Sequence, residues 1–186
     1  MRIIGGKWRG LTLAEVGAGD PKANLRPTSD RVREAIFNLL VNGKHGDLVT
    51  GATVLDLFAG TGALGLEALS RGASGVTLVD DGRAAQRLIA QNIAKMRVEA
   101  QVTLLSCDAT KLPTANAPFT LIFLDPPYGK SLGEAALTSA HAQGWIAPDA
   151  TILWEEGTRL PPPPGFALLD QRRYGDTWVT LLELQA

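Results

Sequence analysis

The sequence is poor in cysteine and histidine, the residues that build disulfide frameworks and many structural metal sites. Its 186 residues include one cysteine, Cys107, and two histidines. A single cysteine can form neither a disulfide within the chain nor a four-cysteine zinc site. We therefore expect a protein without a bound metal, in a reducing, cytoplasmic environment.

The chain also lacks long apolar runs and a large excess of charge of either sign. No stretch approaches the roughly 18 apolar residues of a membrane-spanning helix, and residues 1–7 lack the apolar core of a secretory signal. The net charge is -1, with 45% hydrophobic and 20% charged residues, which is typical of one globular domain. Binding to nucleic acid would therefore have to depend on local patches of charge.

Positive charge is concentrated at the start of the chain. Residues 1–33 contain seven lysines and arginines against three acidic residues, whereas the rest of the chain is net negative. This asymmetry predicts that residues 1–42 form a basic arm and helix that contact an anionic partner, packed on a compact domain of residues 43–186. A solvated, glycine-rich lead-in without a partner is the alternative.

Short apolar runs alternate with amphipathic segments through most of the sequence. The runs predict strands at 53–58, 75–79, 102–105, 119–124 and 151–154, and the amphipathic segments predict helices at 63–71, 83–97 and 132–143. Two further runs, 166–172 and 177–184, flank a turn and predict a hairpin. The alternation is typical of an α/β fold: a mostly parallel sheet covered by helices on both faces, with an antiparallel hairpin at its carboxyl end.

A glycine-rich loop follows the first predicted strand. Residues 56–65 read Asp-Leu-Phe-Ala-Gly-Thr-Gly-Ala-Leu-Gly, a G-x-G-x-x-G pattern between a strand and a helix. Glycine allows a sharp turn and a close approach by a ligand. The next strand ends in Asp80, 20 residues after Gly60, where a carboxylate can accept hydrogen bonds from ribose hydroxyls. The pattern indicates an adenosine-type cofactor, either NAD or S-adenosylmethionine.

Two further acids favour S-adenosylmethionine. Asp56 lies just before the glycine loop, where a carboxylate suits a ligand with an ammonium and a sulfonium better than it suits a pyrophosphate. The third strand is followed by Asp108, which could accept from an adenine amino group. Because the carboxyl ends of parallel strands meet at one edge of a sheet, we expect Asp56, Asp80 and Asp108 to line one crevice. Each acid alone could be only a turn or cap residue.

The fourth predicted strand runs directly into Asp125-Pro126-Pro127-Tyr128. Two prolines end the strand and stiffen the backbone. Asp125 and the Pro126 carbonyl could accept the two N–H bonds of an exocyclic amine, and Tyr128 could stack on the base. Such an amine is a poor nucleophile, so positioning it and stabilising its developing positive charge would be most of the catalysis. A rigid turn without chemistry is the alternative.

These motifs together resemble the class I amino-methyltransferases that act on nucleic acids. Three further segments make the chain similar to the bacterial 16S ribosomal RNA guanine-N2 methyltransferases, the small-subunit methyltransferase D family: residues 1–11, 26–38 and 174–177. The resemblance implies a Rossmann-like, seven-stranded methyltransferase fold, S-adenosylmethionine as the donor, and a guanine of 16S ribosomal RNA as the acceptor, in a small ribosomal subunit or an assembly intermediate. In this family the acid after the second strand is usually Glu, and here it is Asp80.

The resulting hypothesis assigns residues to three roles, with a monomer as the expected state and no membrane partner. Catalysis is assigned to Asp125, Pro126, Pro127 and Tyr128. Cofactor binding is assigned to the glycine loop and the strand ends: Asp56, Phe58, Gly60, Thr61, Gly62, Asp80, Asp108, Ala109 and Asp125. RNA binding is assigned to the basic arm and the start of the first helix: Lys7, Trp8, Arg9, Arg26, Thr28 and Arg31.

Three alternatives remain open at the level of sequence. Adenine-N6 methylation of DNA or RNA would use the same amine-holding motif, although the chain has little room for a separate domain that reads base edges. An NAD(P)-dependent oxidoreductase would explain the glycine loop but leave residues 125–128 without a role. A non-catalytic RNA-binding assembly factor would need none of the acids that the site retains.

Overall fold

The structure, a computed structural model, describes residues 1–15 and 29–185. Within these residues it contains four α-helices, seven strands and a short 3-10 turn. The helices are α1 (Asp30–Asn42), α2 (Ala63–Ser70), α3 (Arg83–Met96) and α4 (Leu132–Ala142). The strands are β1 (Thr53–Leu57), β2 (Gly75–Val79), β3 (Val102–Leu105), β4 (Phe119–Leu124), β5 (Ile146–Glu156), β6 (Phe166–Tyr174) and β7 (Thr177–Leu184), and the 3-10 turn is Ala109–Lys111.

All seven strands belong to one sheet, in the order β3-β2-β1-β4-β5-β7-β6. Strands β1 to β5 run parallel to one another, and β7 pairs antiparallel with both β5 and β6. The strand order reverses direction between β1 and β4, which is where open α/β sheets bind ligands. The predicted Rossmann-like α/β fold, with its carboxyl-terminal antiparallel hairpin, is confirmed.

The central strands β1, β2 and β4 are mainly apolar because helices cover both faces of the sheet there. One buried cluster joins α1, α2 and α3 to the sheet through side chains such as Phe123, and the other joins α4 and the 3-10 turn to the opposite face through side chains such as Leu124. Burial on both faces explains why these segments read as continuous apolar runs rather than as alternating patterns.

The first helix, α1, begins after Ser29 and packs across one face of the sheet. The Ser29 hydroxyl accepts a hydrogen bond from the Val32 amide at 3.3 Å, which satisfies one of the unpaired N–H groups of the first turn. One helical face then packs on the sheet, with the Phe37 ring 5.9 Å from that of Phe123. The Arg33 side chain in the first turn reaches the Arg2 carbonyl, and the neighbouring Met1 sulfur lies 3.6 Å from the Thr61 hydroxyl, so this turn lies on the side of the glycine loop.

Residues 1–13 form a small hairpin that lies along α2. Ile3 donates to the Leu11 carbonyl and Leu13 donates to the Met1 carbonyl, which closes the hairpin. The backbone amides of Ile4 and Gly5 donate to the Glu67 carboxylate. Gly6 is so close to α2 that a Cβ there would overlap the Ser70 carbonyl oxygen. Gly5 and Gly6 therefore allow the arm to pack closely against the helix and its last residues.

Strand β5 is longer than its apolar run predicts. The sequence indicates a strand only at residues 151–154, whereas β5 begins at Ile146 and ends at Glu156. The exposed Pro148 and Asp149 interrupt the apolar pattern, and the pairing with β4 changes register between Phe119 and Leu121. A strand irregularity of this kind tolerates proline and hides the strand from a pattern search.

Candidate active site

The carboxyl ends of the central strands bring the predicted acids to one edge of the sheet. Leu57 at the end of β1 pairs with Leu124 on β4 and with Val79 on β2. Asp125 and Asp80 directly follow these partners, so they leave the sheet at the same level. The structure thus places Asp80 and Asp125 on either side of the loop that follows β1.

The glycine loop is fastened to the acid of the second strand. The Asp80 carboxylate accepts hydrogen bonds from the amides of Gly60 and Gly82, each at 2.8 Å. Burial raises the pKa of Asp80, although these two hydrogen bonds oppose the rise. Each carboxylate oxygen uses one acceptor position in this way and has a second available for a hydroxyl group.

Backbone conformation explains the residue types in the loop. Phe58, Gly60 and Gly62 all have positive φ angles, of 60°, 59° and 76°. Gly65 allows α2 to pack tightly against β2, because a Cβ there would lie 2.6 Å from the Leu78 side chain. Thr61 lies in the same loop and is buried. The loop is therefore a tight turn that exposes backbone to the crevice and enters a helix.

Asp56 is the most strongly perturbed acid of the site. Its side chain is 1% exposed and accepts a hydrogen bond from the Gly65 amide at 2.9 Å. Burial raises the pKa of Asp56 to about 7, the Gly65 hydrogen bond opposes the rise, and the charges of Asp125 and Asp80 add to it. A buried acid whose ionised form lacks a counter-ion favours a cationic ligand.

Asp108 occupies a different setting from the other acids. It caps the 3-10 turn by accepting from the Thr110 amide at 2.9 Å and from the Thr110 hydroxyl at 2.7 Å. These hydrogen bonds lower the pKa of Asp108. The next residue, Ala109, is buried in the core on the α4 side of the sheet. Asp108 therefore stays ionised and partly accessible at the end of the β3 segment.

The Asp125 motif forms a rigid exit from β4. The Asp125 amide donates to the Leu57 carbonyl at 3.4 Å, which continues the pairing with β1 by one residue. Pro126 is buried, whereas Pro127 is exposed. Tyr128 is 38% exposed, an unusual position for a large aromatic ring. The motif thus presents an acid, a fixed carbonyl group and a ring surface at the mouth of the crevice.

The Tyr128 ring is held from the carboxyl-terminal half of the chain. Its hydroxyl lies 3.4 Å from the Thr177 hydroxyl at the start of β7. The ring also lies against Gly157, where a Cβ would come within 2.9 Å of the tyrosine Cδ2. Burial raises the pKa of Tyr128 to about 12, so the phenol stays neutral. Sequence analysis missed Gly157 and Thr177, although Thr177 ends one of the segments that carried the family resemblance.

The proposed RNA-binding residues do not gather beside this motif. Lys7, Trp8 and Arg9 form the tip of the arm, where the Lys7 amide donates to the carbonyl of Ser70, the last residue of α2, at 2.8 Å. An eight-residue helix spans about 12 Å, so the tip lies at the opposite end of α2 from Gly62. Lys7 and Arg9 are exposed, while Trp8 packs partly against the core with the Lys7 ammonium 4.5 Å above its ring.

The other residues assigned to RNA binding are one residue of α1 near the carboxyl edge of the sheet and two that lie outside the described residues. Arg31 is exposed in the first turn of α1. Arg26 and Thr28 lie outside the described residues. The structure therefore separates the predicted RNA-binding set into an arm tip far from the crevice and a helix start closer to it.

Two buried polar side chains that sequence analysis missed hold the arm in place. Glu67 on α2 accepts from the amides of Ile4 and Gly5 at 2.7 and 2.8 Å. Asn92 on α3 accepts from the Ala14 amide at 2.6 Å and donates to the Thr61 carbonyl at 2.9 Å. Asn92 therefore ties the arm to the glycine loop. A single polar residue on each apolar helix face was the available signal.

Arg33 is a third buried polar residue, on α1. Its Nη2 donates to the Arg2 carbonyl at 2.7 Å and to the Asp30 carboxylate at 2.6 Å. Within residues 1–15 and 29–185, its Nε and Nη1 have no hydrogen-bond partner. A buried guanidinium is costly unless it is paired, so Arg33 couples the start of the arm to the first turn of α1.

The residues of the crevice fit S-adenosylmethionine. Buried Asp56 suits an ammonium group, Asp80 has acceptor positions for ribose hydroxyls, and the glycine loop leaves room for close approach. Neither a group of side chains arranged to hold a metal ion nor a helix long and apolar enough to cross a membrane occurs in residues 1–15 and 29–185.

Comparison with known proteins agrees with this geometry. Residues 1–183 match the family model described as conserved hypothetical protein 95. The chain is 39% identical over 166 residues to ribosomal RNA small subunit methyltransferase D of Escherichia coli, covering 88% of this chain and 79% of that protein. It superposes on the solved Escherichia coli methyltransferase yhhF with a TM-score of 0.82 and 35% identity, covering 100% and 98% of the two chains.

A more distant structure shares the fold alone. A Thermus thermophilus 16S rRNA N2 methyltransferase, RsmC, solved with AdoMet and guanosine, is 24% identical with a TM-score of 0.66, over 91% of this chain and 45% of that one. The family match and the close relatives decide the classification: the chain belongs to the conserved hypothetical protein 95 family, the class I methyltransferase family of ribosomal RNA small subunit methyltransferase D.

Proposed function

We propose that the protein transfers a methyl group from S-adenosylmethionine to the exocyclic N2 of a guanine in 16S ribosomal RNA. The acceptor is the RNA of an assembled small ribosomal subunit or a late assembly intermediate in the cytoplasm, and the protein acts as a monomer. The observation that carries the proposal is the Asp125-Pro126-Pro127-Tyr128 exit from β4 beside the acidic, glycine-lined crevice. The relatives named as small-subunit RNA methyltransferases support the choice of RNA.

The cofactor is held by residues from three strand ends. Asp56 binds the ammonium group of the methionine moiety, and Asp80 binds the ribose hydroxyls. Asp108 accepts from the adenine amino group, while Phe58, Thr61 and Ala109 and the loop glycines form the walls. The cofactor supplies an electrophilic methyl group on a sulfonium.

The base is held by the Asp125 motif. The Asp125 carboxylate and the Pro126 carbonyl accept the two N–H bonds of the guanine amine, so that its lone pair points at the methyl group. Pro127 keeps the carbonyl fixed by removing backbone freedom, and Tyr128 stacks on the base. Positive charge that develops on the nitrogen is stabilised by Asp125, which is the main electrostatic contribution of the protein.

The near-neutral overall charge of the chain supports a ribosomal particle, rather than naked RNA, as the substrate. The basic arm, residues 1–42, contacts RNA through its exposed cations, and residues 43–186 form the catalytic domain. Contacts from a chain with a net charge of -1 are too few to hold naked RNA tightly by charge alone. An assembled particle offers the protein further surface to contact, and the shape of that surface contributes to recognition.

Asp125 variants test the proposal. Radiolabelled S-adenosylmethionine is incubated with small subunits that lack the modification, and with naked 16S RNA, using the wild type, Asp125→Ala and Asp125→Asn. We expect transfer with the wild type, preferentially to subunits, and a loss of at least about a hundredfold in both variants. Although Asp125 was also assigned to cofactor binding, calorimetry should show that the cofactor still binds, through Asp56, Asp80 and Asp108. Asp149→Ala, on an exposed bulge of β5, is the matched control. Undiminished transfer by Asp125→Ala would overturn the proposed role of the motif.

A further inference from the structure

The β6–β7 hairpin carries an aromatic and cationic surface next to the catalytic motif. Trp178 on β7 pairs across the strands with Glu156 on β5 and with Arg173 on β6, so the three side chains form one row across the sheet. Arg159, from the connection between β5 and β6, lies over the Trp178 ring with its Cζ 5.9 Å from the ring centroid. We call Arg159, Arg173 and Trp178 the hairpin surface.

Both arginines of the hairpin surface have guanidinium groups that are oriented by the protein but not neutralised. The Arg159 Nε donates to the Gln171 side chain at 2.7 Å, and the Arg173 Nε donates to the Gly175 carbonyl at 2.9 Å. Both residues are exposed, and neither forms an ion pair with a carboxylate in the described part of the chain. Neighbouring Arg172, in contrast, is paired with Asp170 at 3.0 Å. The Nη groups of Arg159 and Arg173 are therefore available to an anionic partner.

The hairpin surface lies at the carboxyl edge of the sheet and borders a groove. Thr177, which precedes Trp178 at the start of β7, contacts the Tyr128 hydroxyl. Successive side chains of a strand point to opposite faces, so Trp178 lies on the other face of β7 from this contact. On its other side, Arg159 and Gln171 border a groove of about 370 Å³ whose remaining walls are apolar and include Leu168, which is 44% exposed. The surface therefore begins one residue from the Tyr128 contact, on the opposite face of β7, and extends toward the β6 edge of the sheet.

We propose that the hairpin surface binds the single-stranded RNA that flanks the target nucleotide. Trp178 stacks on one base, and Arg159 and Arg173 bind the adjacent phosphates. Aromatic rings interleaved with unpaired arginines are the combination that binds single-stranded nucleic acid. The inference rests on the proposed function, since it takes its partner from the RNA acceptor. It also places RNA contacts at the carboxyl edge of the sheet, one residue along β7 from the Tyr128 contact at Thr177, whereas the tip of the arm is at the far end of α2.

RNA binding tests this surface independently of methyl transfer. A fluorescein-labelled single-stranded RNA oligonucleotide is titrated with the wild type, Trp178→Ala, Arg159→Gln and Arg173→Gln at several salt concentrations, and binding is followed by fluorescence anisotropy. We expect Trp178→Ala to weaken binding at least about fivefold. Each arginine variant should lower the slope of log affinity against log salt by about 0.7. Trp178→Tyr, which keeps an aromatic ring, should restore most of the affinity.

The controls separate this proposal from stability and from the proposed function. Arg87→Gln, on the α3 helix at the other end of the sheet, should bind RNA like the wild type, and the affinity of all variants for S-adenosylmethionine should be unchanged. If Trp178→Ala does not fold, the exposed Arg159→Gln and Arg173→Gln variants decide. Wild-type binding and salt slopes in those variants, or no RNA binding by the wild type, would overturn the proposal. Methyl transfer to another base, with the binding effects as expected, would overturn only the proposed function.

Discussion

Replacing Asp56 with asparagine is expected to make the protein more stable and a poorer binder of its cofactor. Asp56 is buried and its pKa is raised to about 7 from 3.8, mainly by desolvation. Asparagine has nearly the same shape and can still accept the hydrogen bond from Gly65. The substitution therefore removes the buried charge without removing that contact.

The magnitude follows from the shift in the pKa of Asp56. A shift of about three units corresponds to about 4 kcal/mol, at about 1.4 kcal/mol per unit, and this is an upper limit because the crevice can relax and admit water. The folded protein binds this proton up to about pH 7 and the unfolded chain only up to about pH 4. Below pH 4 the carboxyl is protonated in both states, so its contribution to stability is complete there and is lost as the pH rises toward 7.

The assay is urea unfolding of wild type and Asp56→Asn without cofactor between pH 4 and pH 8. We expect the variant to be more stable than the wild type by up to about 4 kcal/mol at pH 8, and the difference to shrink toward zero at pH 4. Calorimetry should show weaker binding of S-adenosylmethionine to the variant, because the ammonium group loses its counter-ion. A difference in stability that does not change with pH, or unchanged cofactor affinity, would refute the reasoning.

Three further substitutions test the packing that supports the site. Gly6→Ala should lower the free energy of unfolding, measured by thermal denaturation, by at least about 2–3 kcal/mol, because its Cβ would overlap a carbonyl oxygen at the end of α2. Gly10→Ala, also at positive φ but in open space, should lower it by only about 1–2 kcal/mol. Equal losses in the two variants would contradict the packing of the arm on α2. Asn92→Ala should lower the free energy of unfolding by about 2–3 kcal/mol and weaken cofactor binding, since it removes one hydrogen bond to the arm and one buried hydrogen bond that supports the glycine loop; unchanged cofactor affinity would argue against that support. Gly157→Ala should lower the rate of methyl transfer by about tenfold or more, with cofactor affinity intact, by displacing the Tyr128 ring; a wild-type rate would show that the ring position is unimportant.

Much of the fold could be predicted from the sequence because its determinants are local. Buried parallel strands are short apolar runs, and helices between them have one apolar face, so their alternation predicts the sheet and its covering helices. The acids of the site could be located in the same way, because Asp80 and Asp125 directly follow predicted strands and Asp56 lies within the last residues of the first one. The limits of β5 could not be predicted, since Pro148 and Asp149 interrupt its pattern.

The contacts that orient the site could not be predicted because they join distant parts of the chain. Glu67 binds amides that are 62 and 63 residues away, and Thr177 meets Tyr128 across 49 residues. Gly5 and Gly6, in the basic arm that was assigned to RNA contacts, allow close packing on α2 in the structure. Composition alone does not distinguish a glycine needed for a ligand from one needed for a neighbouring helix.

The central claim is that the Asp125 motif presents the amine of a guanine to the methyl donor. The most direct test is to incubate the protein with S-adenosylmethionine and unmodified small ribosomal subunits, digest the RNA to nucleosides, and identify the methylated product by mass spectrometry. The account predicts N2-methylguanosine, absent when Asp125→Ala replaces the wild type. N6-methyladenosine would preserve the amine-holding mechanism but contradict the assignment of the base, and no methylated nucleoside despite cofactor binding would contradict the account as a whole.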